Sequence, residues 1–147
     1  MQNRTTNKPI RCFRDLDAWN EAMKLAEACY RIAQKLPREE RFELSAQIRS
    51  AAVSVPSNVA EGFSTGSDGL FARHVRISLG SVGELETQME LAARVGLLSR
   101  TDVDQLQLQL NRTNQLLHGL ARSIRARRLK KLGMVSLALM AAVVFAV

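Results

Sequence analysis

Three prolines and eight glycines in 147 residues give too little punctuation for the many tight turns of an all-β fold. The two cysteines, Cys12 and Cys29, lack CxxC spacing, and no histidine stands at a metal-ligand interval from them. They read as reduced thiols with Cys29 in the core, which argues against a disulfide framework or a zinc module. Aromatic residues make up 5% of the chain, few for a platform that stacks single-stranded bases. The only histidines, His74 and His118, lack the paired spacing of a zinc site; His74, beside Arg73 and Arg76, reads as a surface residue. There is no nucleophile elbow and no P-loop. The chain therefore reads as a non-enzyme without a cofactor or a metal. The opening MQNRTTNKPIRCF lacks the apolar stretch of a signal peptide, so the cytoplasm is the default expectation.

The residues that are present describe a globular chain. Hydrophobic content is 46% and charged content 24%, ordinary for one domain with its own core. Twenty-one basic against fourteen acidic residues give a net charge of +7 and a pI near 10.2, a balance that favours polyanionic partners such as nucleic acid or an anionic membrane surface. The excess is concentrated at the ends. Arg4, Lys8, Arg11 and Arg14 precede the first acid, and after Asp104 no acid occurs.

Apolar periodicity predicts four helices. The first lies in RDLDAWNEAMKLAEACYRIAQKLP, capped by Asp15 or Asp17, with a stripe of Leu16, Trp19, Met23, Ala26, Tyr30 and Ala33, and ends at Pro37. The second begins near Glu39 and carries Phe42, Ile48, Ala52, Val55 and Val59. The third opens after STGSDG with Ser67 or Asp68 as its cap and aligns Val75, Val82, Leu85, Met89 and Ala92 up to Gly96. The fourth follows SRTD, where Thr101 and Asp104 have capping-box-like spacing. Its stripe is Val103, Leu106, Leu110, Thr113, Leu117, Leu120 and Ile124, the seam of a packed bundle. Short connections make neighbouring helices antiparallel. The expectation is an all-α, up-down-up-down four-helix bundle over residues 13–126, with a basic N-terminal arm (1–12) and a basic then apolar C-terminal extension (127–147).

Within VSVPSNVAEG (53–62), Pro56 lacks a backbone N–H and crowds the carbonyl four residues back, so it should bend the second helix or force a restart. Asn58 and Glu61 have the spacing of a capping pair. The preferred reading is a kinked helix whose freed carbonyls are tied down by Ser54, Ser57 and Asn58. A general acid–base role for Glu61 needs a partner group, and no histidine or second carboxylate accompanies it locally; contact with a subunit or partner is the other alternative. In GSVGELETQ, Gly80, Ser81 and Gly83 place small residues inside a helix, where each glycine costs about 1 kcal/mol against alanine. Close approach of another helix explains this, either within the bundle or, together with Glu84, between subunits. Glu86 and Glu90 read as a solvated or interfacial acidic strip rather than a metal site.

The blocks SVPSNVAEGF and SLGSVGELETQMELAARVGLL (78–98), with FRDLDAWNEAMKLAEACYRIAQKLP and LSAQIRSAAVSVPSNVAEG, resemble the signature of the four-helix-bundle proteins named for ribosomal-RNA intervening sequences. That family includes the accessory variability proteins of diversity-generating retroelements. The resemblance spans residues 13–124 and implies a small basic bundle assembling into a ring-like homopentamer. In the retroelement members it further implies binding of RNA or DNA and of a reverse transcriptase. Gly83 stands where a larger residue is usual, and the tail from Arg127 on is additional to the pattern.

The cations off the apolar seam are the candidate phosphate contacts: Arg73 and Arg76 on the third helix, Arg112, Arg122 and Arg125 on the fourth, then Arg127, Arg128, Lys130 and Lys131. Such residues give affinity with little sequence choice. The expected function is a non-enzymatic, oligomeric nucleic-acid-binding accessory protein, serving a retroelement reverse transcriptase. The alternative is a structural or interaction bundle tethered to a membrane by its tail, Leu132–Val147, which carries no charge. As a helix this tail would reach about 24 Å, short of the roughly 30 Å hydrocarbon core. A membrane anchor, an apolar helix covered by protein and a fortuitous extension remain open for it, with cover by protein preferred.

Overall fold

The computed structural model describes residues 9–145, with side chains described to residue 134. Residues 1–8 of the N-terminal arm, and the tail's side chains from residue 135 on, lie outside the described residues. Among the described residues the chain is all-α and holds no strand. Four α-helices follow in order: α1 (Asp17–Ala33), α2 (Leu44–Ser64), α3 (Asp68–Arg94) and α4 (Arg100–Phe145). Short 3-10 turns at Phe13–Asp15 and Arg38–Phe42 precede α1 and α2. The second helix therefore starts five residues later than Glu39, because Arg38–Phe42 closes as a 3-10 turn.

The helix ends show why the chain turns where it does. Asp15 Oδ2 accepts from the backbone N–H groups of Arg11 and Cys12, tying the turn before α1 instead of capping the helix itself. Ser67 caps α3 by accepting from the Leu70 N–H. α3 ends in a Schellman arrangement: Leu97 N–H bonds to Ala92 O at 2.8 Å and Gly96 N–H to Ala93 O. Gly96 supplies the left-handed conformation this motif needs, with φ of +79°. α4 is capped two residues earlier than the sequence spacing implied. Ser99 Oγ accepts from the Asp102 N–H at 3.1 Å and donates to the Asp102 carboxylate at 2.7 Å, so Ser99 and Asp102 take the places assigned to Thr101 and Asp104.

The core is built from one stripe of each helix. Ile48, Ala52, Val55 and Val59 of α2, and Val75, Val82, Leu85, Met89 and Ala92 of α3, are buried as their spacing predicts. So are Val103, Leu106, Leu110, Thr113, Leu117 and Ile124 of α4, with Leu120 packed at the margin. α1 differs. Leu16, Ala26 and Ala33 are buried as predicted, beside Ala18, Ala22, Leu25, Cys29 and Ile32, whereas Met23 and Tyr30 are 36% and 43% exposed and Trp19 is half-buried. The inward stripe mixes small Ala18, Ala22 and Cys29 with larger Leu25 and Ile32, so that it interlocks with the neighbouring helices. Phe42 is also outside, 82% exposed, because its 3-10 turn leaves it off the bundle.

The displaced large residues of α1 lie together with Phe13 of the preceding turn. Phe13, Trp19, Met23 and Tyr30 face Val53, Pro56 and Ala60 of α2 across an open, largely apolar groove of about 660 Å³. Phe13 and Trp19 meet edge to face at 5.2 Å. Pro56, itself buried, forms part of the groove wall, and α2 passes through it as one unbroken element; no restart occurs.

Candidate functional site

α3 and α4 run in opposite directions. Gln107 lies against Glu86, while Arg127 and Lys131 reach Asp68 in the first turn of α3. This arrangement carries Arg73 and Arg76 to the same end of the bundle as Arg122 and Arg125. All nine predicted cations are exposed: Arg73, Arg76, Arg112, Arg122, Arg125, Arg127, Arg128, Lys130 and Lys131. Arg112 stands apart, about 15 Å down the helix from Arg122. Arg127 and Lys131 are ion-paired with Asp68 at 3.3 and 2.9 Å. The hydrogen bond from Lys131, with the charges of Arg127 and Arg128 beside it, holds the Asp68 carboxyl below its ordinary range. Among the described residues the other seven cations form no ion pair. α4 thus presents a cationic ridge of which only Arg127 and Lys131 are paired among the described residues, both with Asp68 of α3.

Sequence reasoning missed a polar track leading into this ridge. Asn111, Asn114, Gln115, His118 and Arg122 line a shallow hollow of about 390 Å³ on one side of α4. Their steps of three and four residues put them on one face, the signal by which they could have been found. Amide and imidazole groups there can bond phosphate, ribose hydroxyl or base edges.

The residues of the opening motif form a polar seam between α2 and α3. Asn58 Nδ2 donates to Ser54 O at 2.9 Å and to Ser54 Oγ at 3.1 Å, and Ser81 Oγ donates to the same hydroxyl at 2.8 Å. With both amide hydrogens committed, Asn58 Oδ1 accepts from His74 Nδ1 at 3.1 Å, which assigns the proton to Nδ1. Ser78 Oγ donates to Val55 O at 2.9 Å, one residue before Pro56. Two sequence expectations are corrected here. His74 is buried, not a surface residue, and it stands beside Glu61 as a nearby partner, with Nε2 3.8 Å from Glu61 Oε1. Asn58 and Glu61 are no capping pair, because α2 runs through both and Asn58 bonds back to Ser54. Both ring nitrogens of His74 face polar atoms of α2, so the seam fixes the register of the two helices.

Glycine has separate roles on α2 and α3. A Cβ at Gly62 would sit 2.7 Å from the His74 Cβ and 2.8 Å from Phe71 Cδ2, so this glycine, not one from GSVGE, permits the close approach inside the bundle. At Gly80 and Gly83 a Cβ would meet nothing within 4 Å. Those two glycines and Glu84 are exposed, while Ser81 turns inward to the seam. Beside them Gln47, Ser50, Ile77, Glu84 and Gln88 border a hollow of about 510 Å³. Gln88 Oε1 is buried there without a hydrogen-bond partner.

Two further acids, Glu90 and Asp102, are tied at the opposite end of the α3–α4 pair. Glu90 accepts from Arg100 at 2.6 Å and Arg94 at 2.7 Å, joining α3 to α4, and these bonds hold its carboxyl down at about 2. Lys35 and Ser99 bond the Asp102 carboxylate and lower it likewise. Burial pushes the Cys29 thiol up to about 12, so it stays protonated in the core. Among the described residues no three His, Cys, Asp or Glu side chains lie together as a metal site. No helix there is long and apolar enough to cross a membrane.

The chain matches the family model described as 23S rRNA-intervening sequence protein over residues 14–119. It is also similar to a crystal structure of a protein of unknown function from the S23 ribosomal protein family of Bacteroides thetaiotaomicron, with a TM-score of 0.66 and 22% identity. That similarity covers 71% of this chain and 95% of the other, and it shows a shared fold. No curated protein matches the chain.

Proposed function

The chain belongs to the 23S rRNA-intervening sequence protein family, and from that premise we propose that it is a non-enzymatic, oligomeric nucleic-acid-binding protein, an accessory to a retroelement reverse transcriptase. The observation that carries the binding role is the cationic ridge. Past Asp104 the chain contains no acid, and Arg112, Arg122, Arg125, Arg128 and Lys130 on α4 stay unpaired among the described residues. Cations so placed neutralise phosphates and release counterions, giving binding with little sequence preference. The track from Asn111 to His118 adds hydrogen-bonding groups beside the phosphate contacts. The reverse-transcriptase partner rests on the family resemblance alone.

Oligomerisation finds support in Gly80 and Gly83. Each weakens its helix by about 1 kcal/mol and meets no neighbour in its own chain, a cost that the close approach of a second copy would offset. The resemblance favours a pentamer. Light scattering at micromolar concentration should return a multiple of 16.3 kDa; a monomer would end this reading. For binding, anisotropy of labelled single-stranded RNA and DNA should show affinity falling steeply with salt. Replacing Arg122, Arg125, Arg127 and Arg128 by Gln should flatten the logarithmic slope by about 0.7–0.9 per lost phosphate contact. Unchanged binding at low salt in that variant would remove the ridge from the interface.

A further inference from the structure

The groove between α1 and α2 is one apolar feature that its own chain leaves open, and the sequence at the far end of α4 is another apolar feature. In the groove, Met23, Tyr30 and Val53 are 36%, 43% and 45% exposed around Trp19 and Phe13. Aromatic and methionine side chains on a concave apolar surface are the composition of a binding hot spot rather than of ordinary solvent-facing helix. The groove follows α1 from Trp19 to Tyr30, about 16 Å or three turns.

The second feature is the overhang of α4. Ile124 is its last buried residue among those described, yet the helix continues unbroken to Phe145. That is about 30 Å of helix beyond the last core contact. It leaves at the end of the bundle where Lys131 meets Asp68. From Leu132 onward the sequence is uncharged and rich in Leu, Ala, Val and Met. Leu132 and Met134 are 64% and 72% exposed. Among the described residues, none of α4 lines the α1–α2 groove of its own chain, and the overhang begins exposed at Leu132. Left in water, it would present an apolar surface of the kind that drives association.

We propose that the α4 overhang of one copy, Leu132–Val147, seats in the Trp19–Met23–Tyr30 groove of a second copy. Each chain carries one groove and one overhang, so the exchange matches each of the two once. The occupant needs no opposite charge. The only acid on the groove rim, Glu27, already has Arg31 beside it at 4.0 Å, and the overhang is neutral. This contact uses a different face from Gly80 and Gly83 and does not depend on nucleic-acid binding.

The single tryptophan of the chain, Trp19, lies in the groove and reports on its occupancy. In full-length protein, Leu137→Lys with Leu139→Lys should shift Trp19 emission to the red and expose it to acrylamide. Met23→Lys should disrupt the groove instead. Mixing the two variants pairs an intact groove with an intact overhang on different chains, and should restore part of the blue-shifted, shielded emission. Circular dichroism of each variant controls for folding. Trp19 shielding that is the same in wild type and in the Leu137/Leu139 variant, or no recovery on mixing, would overturn the proposal. So would overhang-dependent partitioning into anionic phosphatidylglycerol vesicles that leaves Trp19 unchanged, since a membrane would then be the occupant.

Discussion

Lys131 Nζ lies 2.9 Å from Asp68 Oδ2, a bond that spans 63 positions of sequence and fastens α4 to the first turn of α3. Arg127 shares the same carboxylate. Two of the cations assigned to the nucleic-acid surface are therefore held by the chain's own acid, and a phosphate must compete with Asp68 for them.

Asp68→Asn should accordingly strengthen nucleic-acid binding at low salt. Freeing two cations steepens the dependence of log K on log salt by about 1 to 2. Titrations at two ionic strengths measure this. Weaker binding in the variant would show that Asp68 orients Arg127 and Lys131 for the ligand instead of withholding them.

Gly62 and Gly80 should respond oppositely to alanine. Gly62→Ala forces a methyl to 2.7 Å from the His74 Cβ and 3.2 Å from the Phe71 backbone, an overpacking that typically costs about 1–3 kcal/mol. Gly80→Ala meets nothing and gains up to about 1 kcal/mol of helix propensity. Chemical denaturation separates the two. A loss of oligomer mass in Gly80→Ala, with the fold strengthened, would mark that glycine as an intersubunit contact.

His74→Ala removes the donor to Asn58 Oδ1 and leaves a half-buried amide oxygen unpaired. A loss of about 1–3 kcal/mol in urea is expected. Ala at His118, which is exposed and unpaired, should leave stability within about 0.5 kcal/mol.

Acid should loosen the α3–α4 corner. Glu90 is held at about 2 against an ordinary 4.5 by Arg100 and Arg94. A carboxylate depressed by folding stabilises the fold above its unfolded value, and that contribution disappears as pH falls towards the folded one. Melting temperature should therefore drop between about pH 4.5 and 2, and Glu90→Gln should drop less over that window. Equal pH profiles for the two proteins would show that the corner does not contribute.

α4 was the most legible part of the sequence because each of its core positions carries a large apolar residue or Thr113 at an unbroken three–four step. α1 misled because it has two stripes, and the more conspicuous one, with Trp19, Met23 and Tyr30, faces outward. The inward one is written in Ala18, Ala22 and Cys29, whose size suits close packing but whose signal is weak. His74 was unreadable for another reason. Its neighbours Arg73 and Arg76 advertise a surface, whereas its partner Asn58 lies sixteen positions away and becomes a neighbour only when α2 and α3 pair. The nine cations needed no tertiary knowledge to be placed outside. That two of them are claimed by Asp68 did need it.

The overhang of α4 gives the molecule a mechanical lever. Its short arm, about 10 Å, is clamped between Ile124 and the Asp68 bond, and its free arm runs about 21 Å from Lys131 to Phe145. A change of about 10° in the angle at which α4 leaves the bundle would sweep the tip through roughly 4 Å. Whatever pulls Arg127 or Lys131 from Asp68 acts at the fulcrum, where little displacement is needed to redirect the tip.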